Sequence, residues 1–241
     1  MPQDSRIRTL PPADGLPAHF RRVVSFSPRG GRLNDVQRRA WAAHAENWYL
    51  DPADFADGFD PDAVFGRCAP LVLEIGSGMG ESTAAMAKAR PADNLLAVEV
   101  YKPGVAQTFH PLAKAEVDNV RVMRGDAMQV LTELIAPDSL AEIWLFFPDP
   151  WPKTRHRGRR LVNAEFAELA ASRLGKGGRL RMATDWAPYA EQMLAVLGSC
   201  KSLRNAHSGW APRADFRPRT RFERRGLSAG HEIYDLEFLR R

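Results

Sequence analysis

Leu73-Glu74-Ile75-Gly76-Ser77-Gly78-Met79-Gly80-Glu81 is the stretch that decides how this chain folds. It closes an apolar run, 71–75, and opens into a segment of helical composition, so three glycines fall at a strand-to-helix turn. Glycine at such a turn lets the backbone curl tightly and approach a ligand that a β-carbon would repel. The spacing is GxGxG, and Glu81 stands where a dinucleotide-binding GxGxxG loop has its third glycine. A pyrophosphate on that helix N-terminus would face a carboxylate. A ligand with an amino group, a ribose and a sulfonium suits these acidic surroundings better than one with phosphates.

On either side of this loop the chain alternates short apolar runs (71–75, 95–100, 120–123, 141–147 and 179–184) with helical stretches near 81–90, 103–116, 127–134 and 163–174. Alternation at this spacing argues for parallel crossovers. The run Ile143-Trp144-Leu145-Phe146-Phe147 is apolar at every position, as a central strand covered on both faces should be. The helix at 163–174 opens on a capping residue, Asn163, buries Phe166, Leu169, Ala170 and Leu174, and stops at Gly175, and a further helix is expected over 188–197. Near the C-terminus Tyr234, Leu236 and Phe238 alternate with Asp235 and Glu237, which reads as a half-exposed antiparallel edge strand. Upstream, Val36, Ala40, Trp41, His44 and Trp48 share one face of a helix over 34–50 with Asn34 as its cap, and a Pro/Asp/Gly-rich link, 51–61, follows. Residues 1–33 are rich in Pro, Gly and Arg without a period, so they are expected to form a flexible basic arm before a single domain, 34–241.

The fold class is therefore α/β, with a mostly parallel sheet flanked by helices and a C-terminal antiparallel hairpin; it resembles the Rossmann-like fold of the AdoMet-dependent methyltransferases. Composition agrees: 241 residues, 44% hydrophobic and 26% charged, describe an ordinary globular protein and set aside collagen-like, wholly disordered and membrane-embedded classes. No apolar run approaches the roughly 18 residues of a membrane helix. The N-terminus has no apolar signal-peptide core, so a cytoplasmic protein is expected. Cys68 and Cys200 lack the spacing of a metal knuckle or redox pair and are expected to be buried apolar side chains. Neither HExxH nor GxSxG occurs, so no metal site and no acyl-enzyme chemistry are expected.

Two further acids extend the loop into a constellation. Glu99 closes the second run, where an acid would accept hydrogen bonds from both ribose hydroxyls, and Asp126 follows the third, placed to accept from an adenine amino group. With Gly76, Gly78 and Gly80 they point to S-adenosyl-L-methionine. The net charge of +5 is modest but grouped: five Lys or Arg and no acid over 153–160, six Arg against Asp215 and Glu223 over 213–225, and eight Arg against three Asp over 1–39. Such clusters attract a polyanion, so a nucleic-acid partner is expected, with no membrane and no obligate protein partner.

After the fourth run the chain reads Phe147-Pro148-Asp149-Pro150-Trp151-Pro152-Lys153-Thr154-Arg155-His156-Arg157-Gly158-Arg159-Arg160. Ligands gather beyond the carboxyl ends of parallel strands, so Asp149 should face the same cleft as Gly78, held by its flanking prolines. This segment resembles the FPDPWxK and RHxxRR motifs of the bacterial tRNA (guanine-N7-)-methyltransferase family. Ala183-Thr184-Asp185-Trp186 and Thr220-Arg221-Phe222-Glu223-Arg224-Arg225-Gly226 match its later elements in order. The resemblance runs from about Arg32 to the C-terminus, with Ser77 standing where relatives often carry cysteine. It implies transfer of the AdoMet methyl group to N7 of a guanine in the tRNA variable loop. It also implies cofactor contacts from Glu74, Glu99, Asp126 and Asp149, with Asp149 as the catalytic residue, and substrate contacts from Lys153, Asp185, Thr220, Arg221, Phe222 and Glu223. Arg155, His156, Arg157, Arg159 and Arg160 are placed by it on the RNA.

Guanine N7 has an available lone pair and no proton to lose, so displacement at sulfonium needs orientation more than a strong base, which agrees with the lack of a Ser/His or Cys/His nucleophile. Phosphate contacts are expected from Lys153, the arginines of 155–160 and those of 217–225. Trp151 is read either as a stacking platform for a base or as packing on the sheet. Rival readings are an exocyclic-amino methyltransferase acting on adenine N6 or guanine N2, a non-catalytic RNA-binding module of the same fold, and an NAD-dependent oxidoreductase. A missing second proline after Asp149, the intact glycine loop, and the GxGxG spacing weigh against them in turn.

Overall fold

Continuous apolar runs can hide both faces only inside a sheet covered by helices, and the computed structural model, which describes residues 31–55 and 58–241, shows that arrangement. In chain order the elements are α1 (Asp35–Trp48), β1 (Tyr49–Leu50), α2 (Pro61–Phe65), β2 (Leu71–Ile75), α3 (Glu81–Ala89), β3 (Asn94–Glu99), α4 (Lys102–Ala115), β4 (Val120–Arg124) and α5 (Ala127–Gln129). They continue with β5 (Leu140–Phe146), α6 (Ala164–Arg173), β6 (Leu174–Thr184), α7 (Ala187–Ser199), β7 (Leu203–Asn205), α8 (Arg221–Ser228) and β8 (Tyr234–Arg240). The strands form one sheet in the order β1-β4-β3-β2-β5-β6-β8-β7. All neighbours are parallel except the pairs β8 makes with β6 and β7. After β2 the chain winds outward through β3 and β4, then returns to β2's other side with β5. The reversal puts a crevice at the carboxyl ends of β2 and β5, where open α/β sheets bind ligands.

Alternate residues of one strand serve different cores. Leu71, Leu73 and Ile75 join Ile143, Leu145 and Phe166 on one face, while Val72 joins Trp144, Phe109 and Leu112 on the other. Asn34 caps α1 as expected, its side chain accepting from Gln37 N at 2.9 Å while the Gln37 side chain accepts from Asn34 N. Among the described residues no helix is long and apolar enough to cross a membrane.

Several expectations need correction. The strand over 234–240 is not at the edge: the short β7 lies outside it, joined to it by a long excursion containing α8 instead of a tight hairpin turn. Its acids are buried and ion-paired, Asp235 with Arg217 and Glu237 with Arg179, Arg181 and His207. On α1, Val36 is exposed and Gln37 is buried in its place, its amide donating to the Pro103 carbonyl at 3.3 Å. Cys200 is buried, but Cys68 is exposed, in the loop between α2 and β2. The helix expected over 127–134 is one turn, α5, running into a wider π turn over Val130–Leu134. Residues 1–30 of the expected arm lie outside the described residues.

Candidate active site

The three loop glycines all sit in the left-handed region, with φ of +79°, +62° and +79° at Gly76, Gly78 and Gly80. They do different jobs there. A β-carbon at Gly76 or Gly78 would meet nothing within 4 Å, so these two leave open space above the loop. One at Gly80 would fall 2.6 Å from Thr108 Cα, so this glycine lets α3 start against α4. Gly104, which lies outside the glycine motif, is a fourth: its β-carbon would lie 2.5 Å from the Gly78 carbonyl oxygen. The loop is tied to β3 by main chain and side chain together. Gly76 N donates to Val98 O at 2.8 Å, and Gly78 N donates to Glu99 Oε2 at 2.9 Å. Glu99 Oε1 accepts from Tyr101 N at 2.8 Å, and burial raises this carboxyl's pKa, with the Asp149 charge adding to the rise.

Beneath the loop, Glu74 is buried, and its Oε2 has no hydrogen-bond partner among the described residues; the same is true of Ser77 Oγ and Thr83 Oγ1. Burial pushes the Glu74 carboxyl up to about 7, and the Glu99 charge adds to the rise. Buried polar atoms normally find partners, so a cluster of unmet acceptors and hydroxyls at a loop with open space above it suits a ligand rich in donors. Asp126 caps α5, its Oδ1 accepting from Met128 N at 2.9 Å. These residues fit the ammonium, hydroxyls and amino group of S-adenosylmethionine.

Beyond β5 the backbone turns sharply. Phe147 and Trp151, on either side of Pro148-Asp149-Pro150, have φ of +54° and +42°, a region that side chains other than glycine's rarely enter. Phe147 N donates to Ala183 O at 2.7 Å, and Asp149 between the prolines is exposed. Trp151 is half-buried, with the Arg159 guanidinium 3.7 Å from its ring centroid and His156 edge-on at 5.9 Å. It therefore packs within its own loop. Lys153, Arg155 and Arg157 are exposed. Arg160 corrects the expectation of an RNA contact: it is 3% exposed. Its Nε donates to Pro150 O at 2.8 Å, and its Nη1 donates to Gln192 Oε1 at 2.7 Å and Pro188 O at 3.3 Å.

At the carboxyl end of β6, Asp185 Oδ2 lies 3.2 Å from His231 Nδ1. A β-carbon at Gly226 would come 2.8 Å from that same oxygen, so the glycine lets α8 close on Asp185. Thr220 caps α8, its Oγ1 accepting from Glu223 N at 2.9 Å, while Arg221 and Phe222 face outward, Phe222 with 64% of its surface exposed. Glu223 does not. It is 2% exposed and accepts from Arg217 Nη1 at 2.7 Å and Arg213 Nε at 3.1 Å. Arg217 is fully buried and also donates to both Asp235 oxygens at 3.0 Å. Its expected phosphate contact, and the expected substrate contact of Glu223, give way to a buried ion-paired unit that seats α8 on β8. The glycine loop, Glu99, Asp126, Asp149 and Asp185 all lie at the carboxyl ends of the parallel strands, and α8 leads into the start of β8 opposite Thr184 at that same end.

The chain is similar to known proteins in sequence and in fold. The family described as "putative methyltransferase" matches residues 68–236. A tRNA (guanine-N(7)-)-methyltransferase of a Nocardioides species is 48% identical over 230 residues, covering 95% of this chain and 91% of the relative. The protein of that name from Burkholderia ambifaria is 46% identical over 245 residues, covering 100% of this chain and 95% of its own. Among solved structures, the 16S rRNA methyltransferase KamB superposes with a TM-score of 0.54 at 16% identity, over 74% of this chain and 91% of that one, which shows the shared fold.

Proposed function

The chain belongs to the tRNA (guanine-N(7)-)-methyltransferase family, and from that premise we propose how its residues divide the work. The enzyme transfers the methyl group of S-adenosylmethionine to N7 of a guanine in tRNA. S-adenosylmethionine supplies an electrophilic methyl on a positively charged sulfur. Gly76 and Gly78 give it room; Glu74 receives its ammonium, Glu99 its ribose hydroxyls and Asp126 its adenine amino group. Asp149, exposed at the mouth of the cleft, stabilises the positive charge that builds on the purine as the methyl arrives. No residue has to remove a proton, because N7 offers a free lone pair; orientation is the main requirement.

N7 lies on the major-groove edge, which the deep, narrow groove of A-form RNA conceals, so the target is an open loop nucleotide, in the variable loop of the tRNA. Lys153, Asp185, Thr220, Arg221 and Phe222 meet the guanine and its neighbours. The exposed Arg155 and Arg157, with His156 and Arg159 beside them, meet phosphates, and Glu223 acts only by holding α8. A tRNA substrate places the enzyme in the cytoplasm, with residues 34–241 working as one unit. What supports this assignment most is the open space above Gly76 and Gly78, in a loop tied to Glu99, with the buried Glu74 Oε2 and Ser77 Oγ left without partners beside it. The test is incubation of purified protein with unmodified tRNA and labelled S-adenosylmethionine, then chemical cleavage specific for 7-methylguanosine. Cleavage at a variable-loop guanine is expected; label at an exocyclic amine, or none, would reject the reading.

A further inference from the structure

We propose that Arg160 and Arg217 are positioning residues that jointly hold the Asp149 loop in its strained shape. The loop turns through two left-handed residues with large side chains, Phe147 and Trp151, with Asp149 midway between them. Such conformations persist only where surrounding structure over-determines them. Each end of this loop is in contact with one buried arginine. Arg217 places its guanidinium carbon 5.4 Å from the Phe146 ring centroid and 5.5 Å from that of Phe147. It is itself fixed by Glu223 on α8 and by both oxygens of Asp235 on β8. Arg160 takes the Pro150 carbonyl with Nε and is anchored to α7 through Pro188 O and Gln192 Oε1, with its guanidinium carbon 4.8 Å from the Tyr189 ring centroid.

Both guanidiniums are buried and bonded to protein partners, only Arg160 Nη2 and Arg217 Nε having none among the described residues, so neither is presented to a phosphate, although both stand in the basic clusters. Their fork shape is what the role requires. A planar guanidinium bonds a carboxylate or two carbonyl-type acceptors while covering an aromatic face, and an ammonium cannot do all of this. A reaction that depends on orientation loses rate steeply when a positioned group drifts: a misplacement of about 1 Å can cost roughly 100-fold. The proposal rests on the functional reading above, because it assigns the two arginines to the turnover of that site.

The experiment compares wild type, Arg160→Lys, Arg160→Ala and Arg217→Lys. It measures kcat at saturating tRNA and S-adenosylmethionine, S-adenosylmethionine affinity by calorimetry, and the slope of log tRNA affinity against log salt. For Arg160→Lys and Arg217→Lys, kcat should fall at least about 10-fold, S-adenosylmethionine affinity should stay within about 3-fold, and the salt slope should not change. Arg160→Ala should share the unchanged slope. A slope reduced by about 0.7 to 0.9 in Arg160→Ala would make Arg160 a phosphate contact and overturn the proposal, as would unchanged kcat in either Lys variant. If Arg217→Lys does not fold, Arg217→Gln with Asp235→Asn, which removes one buried charge of each sign, takes its place under the same criteria. An inactive wild type would instead reject the functional reading, so the two failures are separable.

Discussion

Glu99 and Gly78 are joined across the cleft floor: the carboxylate accepts the glycine N–H on Oε2 at 2.9 Å and the Tyr101 N–H on Oε1 at 2.8 Å. One side chain thus fixes the glycine loop and the entry to α4 while remaining in place to receive a ligand. A Gln at 99 has one acceptor oxygen, and its amide nitrogen would oppose a second N–H donor, so one of the two bonds must be lost. Glu99→Gln should therefore weaken S-adenosylmethionine binding at least about 10-fold, with Glu99→Ala worse, since each hydrogen bond to a charged group contributes about 1.5 to 3 kcal/mol. Calorimetry checks it, and wild-type affinity in Glu99→Gln would contradict the assignment.

Gly104 tests the packing behind the loop. A methyl group there would stand 2.5 Å from the Gly78 carbonyl oxygen, inside any normal contact, so Gly104→Ala must push the loop away from α4. A loss of about 1 to 3 kcal/mol in stability is expected from overpacking, together with weaker S-adenosylmethionine binding. Gly198, in α7 with nothing within 4 Å of its would-be β-carbon, is the control. Gly198→Ala should be neutral or stabilising by up to about 1 kcal/mol. Thermal unfolding of both variants, with calorimetry on Gly104→Ala, decides.

The buried Glu74 makes the free protein's stability depend on pH in a defined direction. Its carboxyl rises from an ordinary 4.5 to about 7, mainly through burial, so between those values the folded chain keeps a proton that the unfolded chain has lost. The contribution is full below about 4.5 and is lost as pH climbs to about 7, a change of roughly 3 kcal/mol. Glu74→Gln imitates the protonated form, so it should lose less stability than wild type between pH 5 and pH 8 in urea unfolding. Parallel curves for the two proteins would refute this.

The strands and the glycine loop were legible because their physics is local. A fully covered parallel strand is apolar at every position, and a strand-to-helix turn with φ near +79° at Gly76 and Gly80 calls for glycine. The fate of individual charges was not legible. Arg160 and Arg217 look in sequence like their neighbours Arg157 and Arg219, which are exposed; only their long-range partners, Gln192 and Asp235, draw them inward. The alternation of 234–238 likewise reads as half-exposed until Arg179, Arg181 and Arg217 arrive to pair with its acids. Strands as short as β1 and β7 have no period to read, and Gly104 stands out only once α4 is packed on the loop.

Those differences in burial sort the basic residues into two populations that salt can tell apart. Each phosphate contact releases condensed counterions, so log tRNA affinity should fall linearly with log salt, with about 0.7 to 0.9 of slope for each contact. Arg155, Arg157, Arg221, Arg224 and Arg225 are exposed on the two elements that flank the cleft, the turn after Lys153 and α8. Alanine at any one of them should remove about one contact's worth of slope and leave S-adenosylmethionine affinity unchanged. Because α8 is seated by the Arg217, Glu223 and Asp235 unit, Glu223→Gln should behave differently. It loosens the whole helix, so tRNA affinity should drop at every salt concentration while Arg221, Arg224 and Arg225 keep the ability to contribute slope. Filter-binding titrations over a range of salt concentrations measure both. A flat salt response in wild type, or no change of slope in Arg155→Ala, Arg221→Ala and Arg224→Ala alike, would move the RNA to another face of the molecule.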